Sequence, residues 1–218
     1  MCNRFSFIAS KEEIEDNFNV VINNNFRQSY NIAATQHAYV ITNDNPERLQ
    51  YMTWGLIPSW SRDGRNTGKL INARRETIST QTSFRIPIRR RRCLVLADSF
   101  YEWKKVGVER IPYRIKLSGE KWMVMAGIWD EWYKDDYALK SFAIITTKAN
   151  NEMSEINDRM PVILKKENQQ KQWLKNIDLG ETLSLLNPLP DNHLEFYKIS
   201  QQINSTIPNT IDLHKAIS

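Results

Sequence analysis

Cys2-Asn3-Arg4-Phe5 puts a thiol where loss of the initiator methionine would make it the first side chain. Cys2 would then carry a free α-amine and a thiol on adjacent carbons. An α-amine titrates near pH 8, against about 10.4 for lysine, so a useful fraction is uncharged at neutrality. A neutral amine attacks an aldehyde to give a Schiff base. The neighbouring thiol can then add to the imine carbon and close a thiazolidine ring. Such a terminus traps aldehydes and is, more generally, a candidate nucleophile. The plain alternative is an ordinary second residue.

Five further groupings could do chemistry. Ile71-Asn72-Ala73-Arg74-Arg75-Glu76-Thr77 sets an amide two residues before a guanidinium. Asparagine can donate to an oxyanion or hold a sugar hydroxyl, and arginine can grip a phosphate in bidentate fashion. The alternative is the charged, solvated start of a helix. Asp98-Ser99-Phe100-Tyr101-Glu102-Trp103 sets an acid among aromatics. A carboxyl walled by apolar surface rises in pKa and can exchange protons near neutrality, whereas an outward-facing strand glutamate cannot. If residues 100–104 are extended, Glu102 shares a face with Phe100, and Tyr101 and Trp103 point the other way. Trp54-Gly55-Leu56-Ile57-Pro58-Ser59-Trp60 ends a strand in a turn that can display Trp60 for stacking on a base, while Trp54 suits the core. Glu155-Ile156-Asn157-Asp158-Arg159-Met160-Pro161 offers Arg159 as a phosphate anchor or as a cation at a helix C-terminus. Arg85 and the run Arg89-Arg90-Arg91-Arg92 form the densest positive patch, which suits phosphates, a solvated loop or the guarding of a sheet edge.

These groups need a scaffold, and the pattern is mostly that of strands. Ser10-Lys-Glu-Glu13 is a capping box, which predicts a helix over 11–18. Strands are predicted over 38–42, 49–54, 93–97, 100–104, 112–117, 122–128, 141–147 and 195–199. Residues 61–69 read as an exposed loop and 73–80 as a helical turn or two. Further helices are predicted over 150–156 and 167–175. The fold class is α+β: one domain spanning 1–218, with a β-rich, barrel-like, mostly antiparallel core and peripheral helices.

Bulk properties set the surroundings. A chain of 218 residues with 41% hydrophobic content can bury a full core. Thirty basic against twenty-five acidic residues give +5, compatible with a nucleic-acid partner. With Cys2 and Cys93 the only cysteines, a disulfide framework is not expected. His37, His193 and His214 show no metal-ligand spacing. No apolar run is long enough to span a bilayer and no leader is apparent, so a cytoplasmic protein is expected.

Taken in order, several blocks carry a resemblance. Cys2-Asn3-Arg4-Phe5, Tyr30-Asn31-Ile32-Ala33, Trp54-Gly55-Leu56-Ile57-Pro58, Ile71-Asn72-Ala73-Arg74, Glu76-Thr77, Ala97-Asp98, Tyr101-Glu102-Trp103-Lys104 and Asp158-Arg159-Met160-Pro161 closely resemble the SOS response-associated peptidase family, also described as abasic-site processing proteins. The resemblance spans residues 2 to about 164 and continues more weakly to Asn204. It implies a covalent sensor of abasic sites in single-stranded DNA, with Cys2 attacking the sugar aldehyde and ending as a thiazolidine. Asn72 would orient or polarise the sugar, and Glu102 would shuttle protons. Arg4, Arg74 and Arg159 would hold flanking phosphates, Asn31 would belong to the same DNA-binding set, and Trp60 would lie where the duplex is interrupted.

The chain departs from the family pattern at Asn157, where a histidine implicated in acid–base steps is common. An amide exchanges no proton at neutral pH, so the resemblance implies that adduct formation persists while strand scission or adduct reversal is impaired. Asn3 stands where glycine is frequent, Ala34 replaces a proline, and Ser61 replaces an aromatic. The expected partner is single-stranded DNA with abasic sites; no metal, organic cofactor or membrane is expected, and a monomer is. The rival readings are an N-terminal cysteine peptidase, against which no histidine stands in a recognisable pairing with Cys2, and a non-covalent single-strand binding module.

Overall fold

The computed structural model describes residues 2–217 apart from 24 and 67. In chain order its elements are β1 (Arg4–Phe7), α1 (Lys11–Phe18), β2 (Ser29–Ala33), β3 (His37–Thr42), β4 (Asn45–Trp54), β5 (Asn72–Arg74), α2 (Pro87–Arg90), β6 (Arg92–Ala97), β7 (Ser99–Val106), β8 (Glu109–Leu117), β9 (Met123–Lys134), β10 (Tyr137–Lys148), α3 (Asn151–Ser154), β11 (Arg159–Pro161), α4 (Glu167–Leu174), α5 (Leu179–Ser184) and β12 (Leu194–Lys198). Single 3₁₀ turns follow at Gln201–Asn204 and Ile211–His214.

The larger sheet closes on itself in the order β4-β3-β6-β9-β10. Closure depends on β10, which runs antiparallel to β9 and meets β4 in parallel at Ser141–Thr53 and Phe142–Trp54. Closing removes the free edges that an open sheet would expose. Beyond that contact β10 continues between two short strands: Asn72–Arg74 pairs with it in parallel, and Arg159–Pro161 antiparallel. Two blocks far apart in sequence thus flank one strand. The second sheet, β12-β8-β7-β1-β2, lies against the barrel. Phe5, Phe7, Phe100 and Ile115 join the main core, while Tyr101 on the other face packs with Ile199, Ile203 and Leu213 of the C-terminal segment. This is the alternation expected for residues 100–104.

Local chemistry accounts for most boundaries. Ser10 caps α1 through the Glu13 N–H, Glu13 returns to the Ser10 N–H, and Asn19 ends the helix in the left-handed region. Gly55 at φ 122 turns the chain out of β4; its N–H donates to Phe142 O at 2.8 Å, and a Cβ there would meet Asn66. The expectation of a helical turn or two over 73–80 fails at its start, where the chain is a strand, and is met only by the single turns that follow. Asn72–Arg74 is a strand because the free side of β10 takes up its backbone groups, and turns follow from Arg74 to Gln81. The helix at 150–156 is shorter than expected, capped by Asn150 on the Met153 N–H. No described helix is long and apolar enough to cross a membrane.

Candidate functional site

Four of the predicted catalytic positions meet at the start of β1. Cys2 is buried, and the Asn72 amide donates to its backbone carbonyl at 2.6 Å. Burial first, and the Glu102 charge second, push the Cys2 thiol far above its ordinary value. A thiolate waiting for an electrophile is therefore disfavoured here.

Glu102 itself is buried on β7, so the outward-facing alternative is excluded. Burial, as the largest cause, raises its pKa above the usual carboxylate value. Asn157 Nδ2 donates to Glu102 Oε2 at 3.1 Å, while Asn157 Oδ1 accepts from the Arg159 N–H at 3.1 Å. The two bonds fix which end of the amide faces the acid. Asn157 thus holds Glu102 without offering a proton of its own. Asn72 Oδ1 is buried and has no hydrogen-bond partner among the described residues. Such an acceptor costs about 1–3 kcal/mol in a finished core, and is a natural place for a ligand donor.

The predicted DNA-binding residues fall into two kinds. Arg74 and Trp60 are exposed, Trp60 at 61%, and the Arg74 side chain makes no hydrogen bond or ion pair among the described residues. Trp60 stands on a turn fixed by the Ser61 N–H to Pro58 O and by the Ser59 N–H to Asp130 Oδ2. The other three are engaged. Arg159 is buried, pairs with Glu76 Oε1 at 2.8 Å and donates to Thr146 O and Oγ1. It is a strand residue, which removes the helix-terminus alternative. Arg4 donates to Asn31 Oδ1 at 2.8 Å and to the carbonyls of Asn204 and Ser205. Asn31 in turn donates to Ser205 O and Pro208 O, so it ties Arg4 to the C-terminal segment.

Other candidates resolve into scaffold. Trp54 is buried, donates to Ile71 O and sits edge-on to Phe5 at 5.0 Å. In the arginine run, Arg92 is fully buried and donates to the carbonyls of Ile88, Arg89, Trp173 and Lys175; Arg91 pairs with Asp130. Those two positions carry structure, leaving Arg85, Arg89 and Arg90 exposed. Among the described residues no group of three or more His, Cys, Asp or Glu side chains could hold a metal ion. His37 lies against Thr53, His193 against Lys165 and His214 against Tyr101, each away from Cys2 in its bonding. Met1, whose removal the amine chemistry requires, lies outside the described residues.

Residue-by-residue reasoning missed one participant. The C-terminal segment around Asn204–Asn209 braces Arg4, Asn31 and, through Trp103 Nε1 to Asn204 Oδ1, the strand that carries Glu102. Its sequence is polar and loop-like, with no periodicity to signal that role.

Comparison with known proteins agrees with the geometry. The family model described as SOS response associated peptidase (SRAP) matches residues 1–206. The abasic site processing protein YoqW of Bacillus subtilis (strain 168) is 41% identical over 98% of each chain. The abasic site processing protein HMCES of Gallus gallus is 32% identical over 77% of this chain and 57% of its own. A crystal structure of a Bacteroides thetaiotaomicron protein superposes with a TM-score of 0.92 at 29% identity, covering all of both chains.

Proposed function

The chain belongs to the SOS response associated peptidase family, and from that premise we propose that it captures abasic sites in single-stranded DNA through Cys2. The observation that carries this reading is the convergence of the buried Cys2 and Glu102 with the half-buried amides of Asn72 and Asn157. Relatives named for abasic site processing support the substrate.

The reaction follows from the groups present. Once Met1 is removed, the Cys2 amine adds to the aldehyde carbon of the ring-opened sugar. Glu102, whose pKa burial raises above the ordinary carboxylate value, donates to the carbinolamine hydroxyl, and water leaves. The Cys2 sulfur then adds to the imine carbon and its proton passes to the nitrogen, with Glu102 as carrier. The product is a thiazolidine and the only by-product is one water. A thiol held protonated by burial suits this order, because sulfur acts after the imine has formed. The unpartnered Asn72 oxygen would accept from a sugar hydroxyl or from the amine. Arg74 would meet a flanking phosphate directly and Trp60 would stack at the edge of the single-stranded region. Arg4 and Arg159 would present one face of a guanidinium to DNA while their internal bonds hold them in place, and Asn31 would serve by fixing Arg4.

Incubation with intact and abasic single-stranded oligonucleotides, followed by denaturing electrophoresis without reductant, tests the reading. An adduct with the abasic strand alone supports it. Retarded mobility with both strands and no covalent species would instead indicate a binding module. Peptide cleavage dependent on Cys2 would indicate a peptidase.

A further inference from the structure

The outer face of β3 and β4, away from Cys2, holds features that the capture reaction does not use. Tyr39 and Tyr51 stand directly opposite each other in the β3–β4 register, with ring centres 4.7 Å apart. His37 stacks on Tyr51 at 5.2 Å with an interplanar angle of 30°. Tyr51 is 57% exposed and His37 is exposed as well, so one broad aromatic surface faces solvent. Large aromatics on an outer strand face are normally covered, and Tyr39 is: Phe26 packs on it and the Arg27 N–H donates to its hydroxyl.

Two hollows of about 370 and 500 Å³ meet at this ridge, sharing Tyr39 and Tyr51. Neither is lined by a carboxylate among the described residues, although acids make up 25 of the 218 residues. Arg27 borders the first hollow and Arg48 the second. Both are exposed, and neither guanidinium makes a hydrogen bond or ion pair among the described residues. The rest of the lining is rich in amides, including Gln28, Gln36, Asn45 and Gln50. A protein-docking groove would be more apolar at its centre. Stacking rings, free arginines, amide donors and a missing negative charge match an extended polyanion with flat bases. The first hollow begins at Asn31, the residue that holds Arg4 beside Cys2.

We infer that the Tyr51–His37 surface, between Arg27 and Arg48, binds undamaged nucleotides of the same single strand beyond the lesion site. The inference rests on reading the chain as a single-strand binder, but not on the covalent step. Bases stack on Tyr51 and His37, and the two arginines take phosphates. Each stacked base contributes sequence-tolerant affinity, which suits a protein that must find a lesion in any context.

The test uses an undamaged oligothymidylate long enough to cover both hollows, with binding read by fluorescence anisotropy at several salt concentrations. Tyr51→Ala is expected to weaken binding about tenfold, and Tyr51→Phe to restore it, because the ring and not the hydroxyl is used. Arg48→Gln is expected to lower the slope of log affinity against log salt by about 0.7. An abasic oligomer with one nucleotide on each side is expected to form adduct equally fast in all three variants. Unchanged affinity for the long strand in both Tyr51→Ala and Arg48→Gln, with thermal melts showing each folded, overturns the inference. Should Tyr51→Ala fold poorly, Arg48→Gln and Arg27→Gln decide it alone. If no adduct forms with the unaltered protein while the long strand still binds through Tyr51, the capture reading fails and the binding surface stands.

Discussion

Asp98 and Glu102 are both buried carboxylates on the same stretch of chain, one just before β7 and one within it, yet their surroundings differ in kind. Asp98 accepts from Ser6 and Ser99 hydroxyls and the Ile8 N–H, and faces the Arg114 guanidinium at 2.8 Å. Arg114 also donates to Ser99 and Tyr197. Burial holds Asp98 above its ordinary pKa and Arg114 pulls it back. Every strong partner there is supplied by the fold, so the cluster fixes β1, β7 and β8 to one another. Glu102 instead takes an amide from Asn157 and its charge acts on the Cys2 thiol, and Asn72 keeps an acceptor unmatched among the described residues. A buried acid is therefore not by itself a catalytic signal. The signal is an acid beside a nucleophile in a shell that leaves room for a ligand to complete it.

The comparison breaks most sharply under isosteric substitution. Glu102→Gln is expected to leave the melting temperature near that of the unaltered protein and to slow adduct formation about 10²–10⁴-fold, measured by quenched gel time courses. Asp98→Asn is expected to do the reverse. It leaves Arg114, only 12% exposed, without its counter-charge, and should cost about 3 kcal/mol in denaturant unfolding with little change in rate per folded molecule. If both variants lose rate without losing stability, the division between the two acids is wrong.

Asn157→His sharpens the account of Glu102. A ring that exchanges protons beside the acid is expected to speed strand scission or adduct release by about tenfold or more, with capture changed much less. Equal release rates in both forms would mean that Asn157 is only a spacer.

The smallest expected effect lies behind β7, in the satellite core. Tyr101 donates its hydroxyl proton to Tyr30 O at 2.7 Å, which leaves His214 Nε2–H to donate to the same oxygen at 2.9 Å. Burial first and Arg114 second depress the His214 pKa from 6.5 to about 3. The folded state thus binds fewer protons than the unfolded state between those values. Stability from the neutral ring is fully present above about pH 6.5 and declines as pH falls toward 3. Thermal melts between pH 7 and 4.5 should show a smaller drop for His214→Gln than for the unaltered protein. Parallel curves would remove the histidine from the acid response.

Much of this was legible in the sequence, for physical reasons that differ by region. The capping box of α1 and the apolar runs of β6, β9 and β10 carry their own local signals, and the structure follows them. The alternation around Glu102 correctly divided Phe100 from Tyr101 and Trp103. Ala73 and Arg74 were expected to open a helical turn because their strand character comes from β10, more than sixty residues downstream, and not from their own composition. Arg92 looked like part of a phosphate patch because nothing local reveals the four carbonyls that enclose it. The engagement of Arg4 and Asn31 by residues 204–208 was equally hidden, since it depends on where a polar tail folds back. Side chains proposed to do chemistry were visible by type, and their braces were visible only in space.

In the proposed reaction the Cys2 amine and thiol act together on an aldehyde. Intact mass spectrometry of the adduct with an abasic single-stranded oligonucleotide tests it most directly. The expected species is stable to denaturant, equal in mass to the protein without Met1 plus the oligonucleotide less one water, and absent in Cys2→Ala. A covalent species that survives Cys2→Ala, or one in which Met1 is retained, would contradict it.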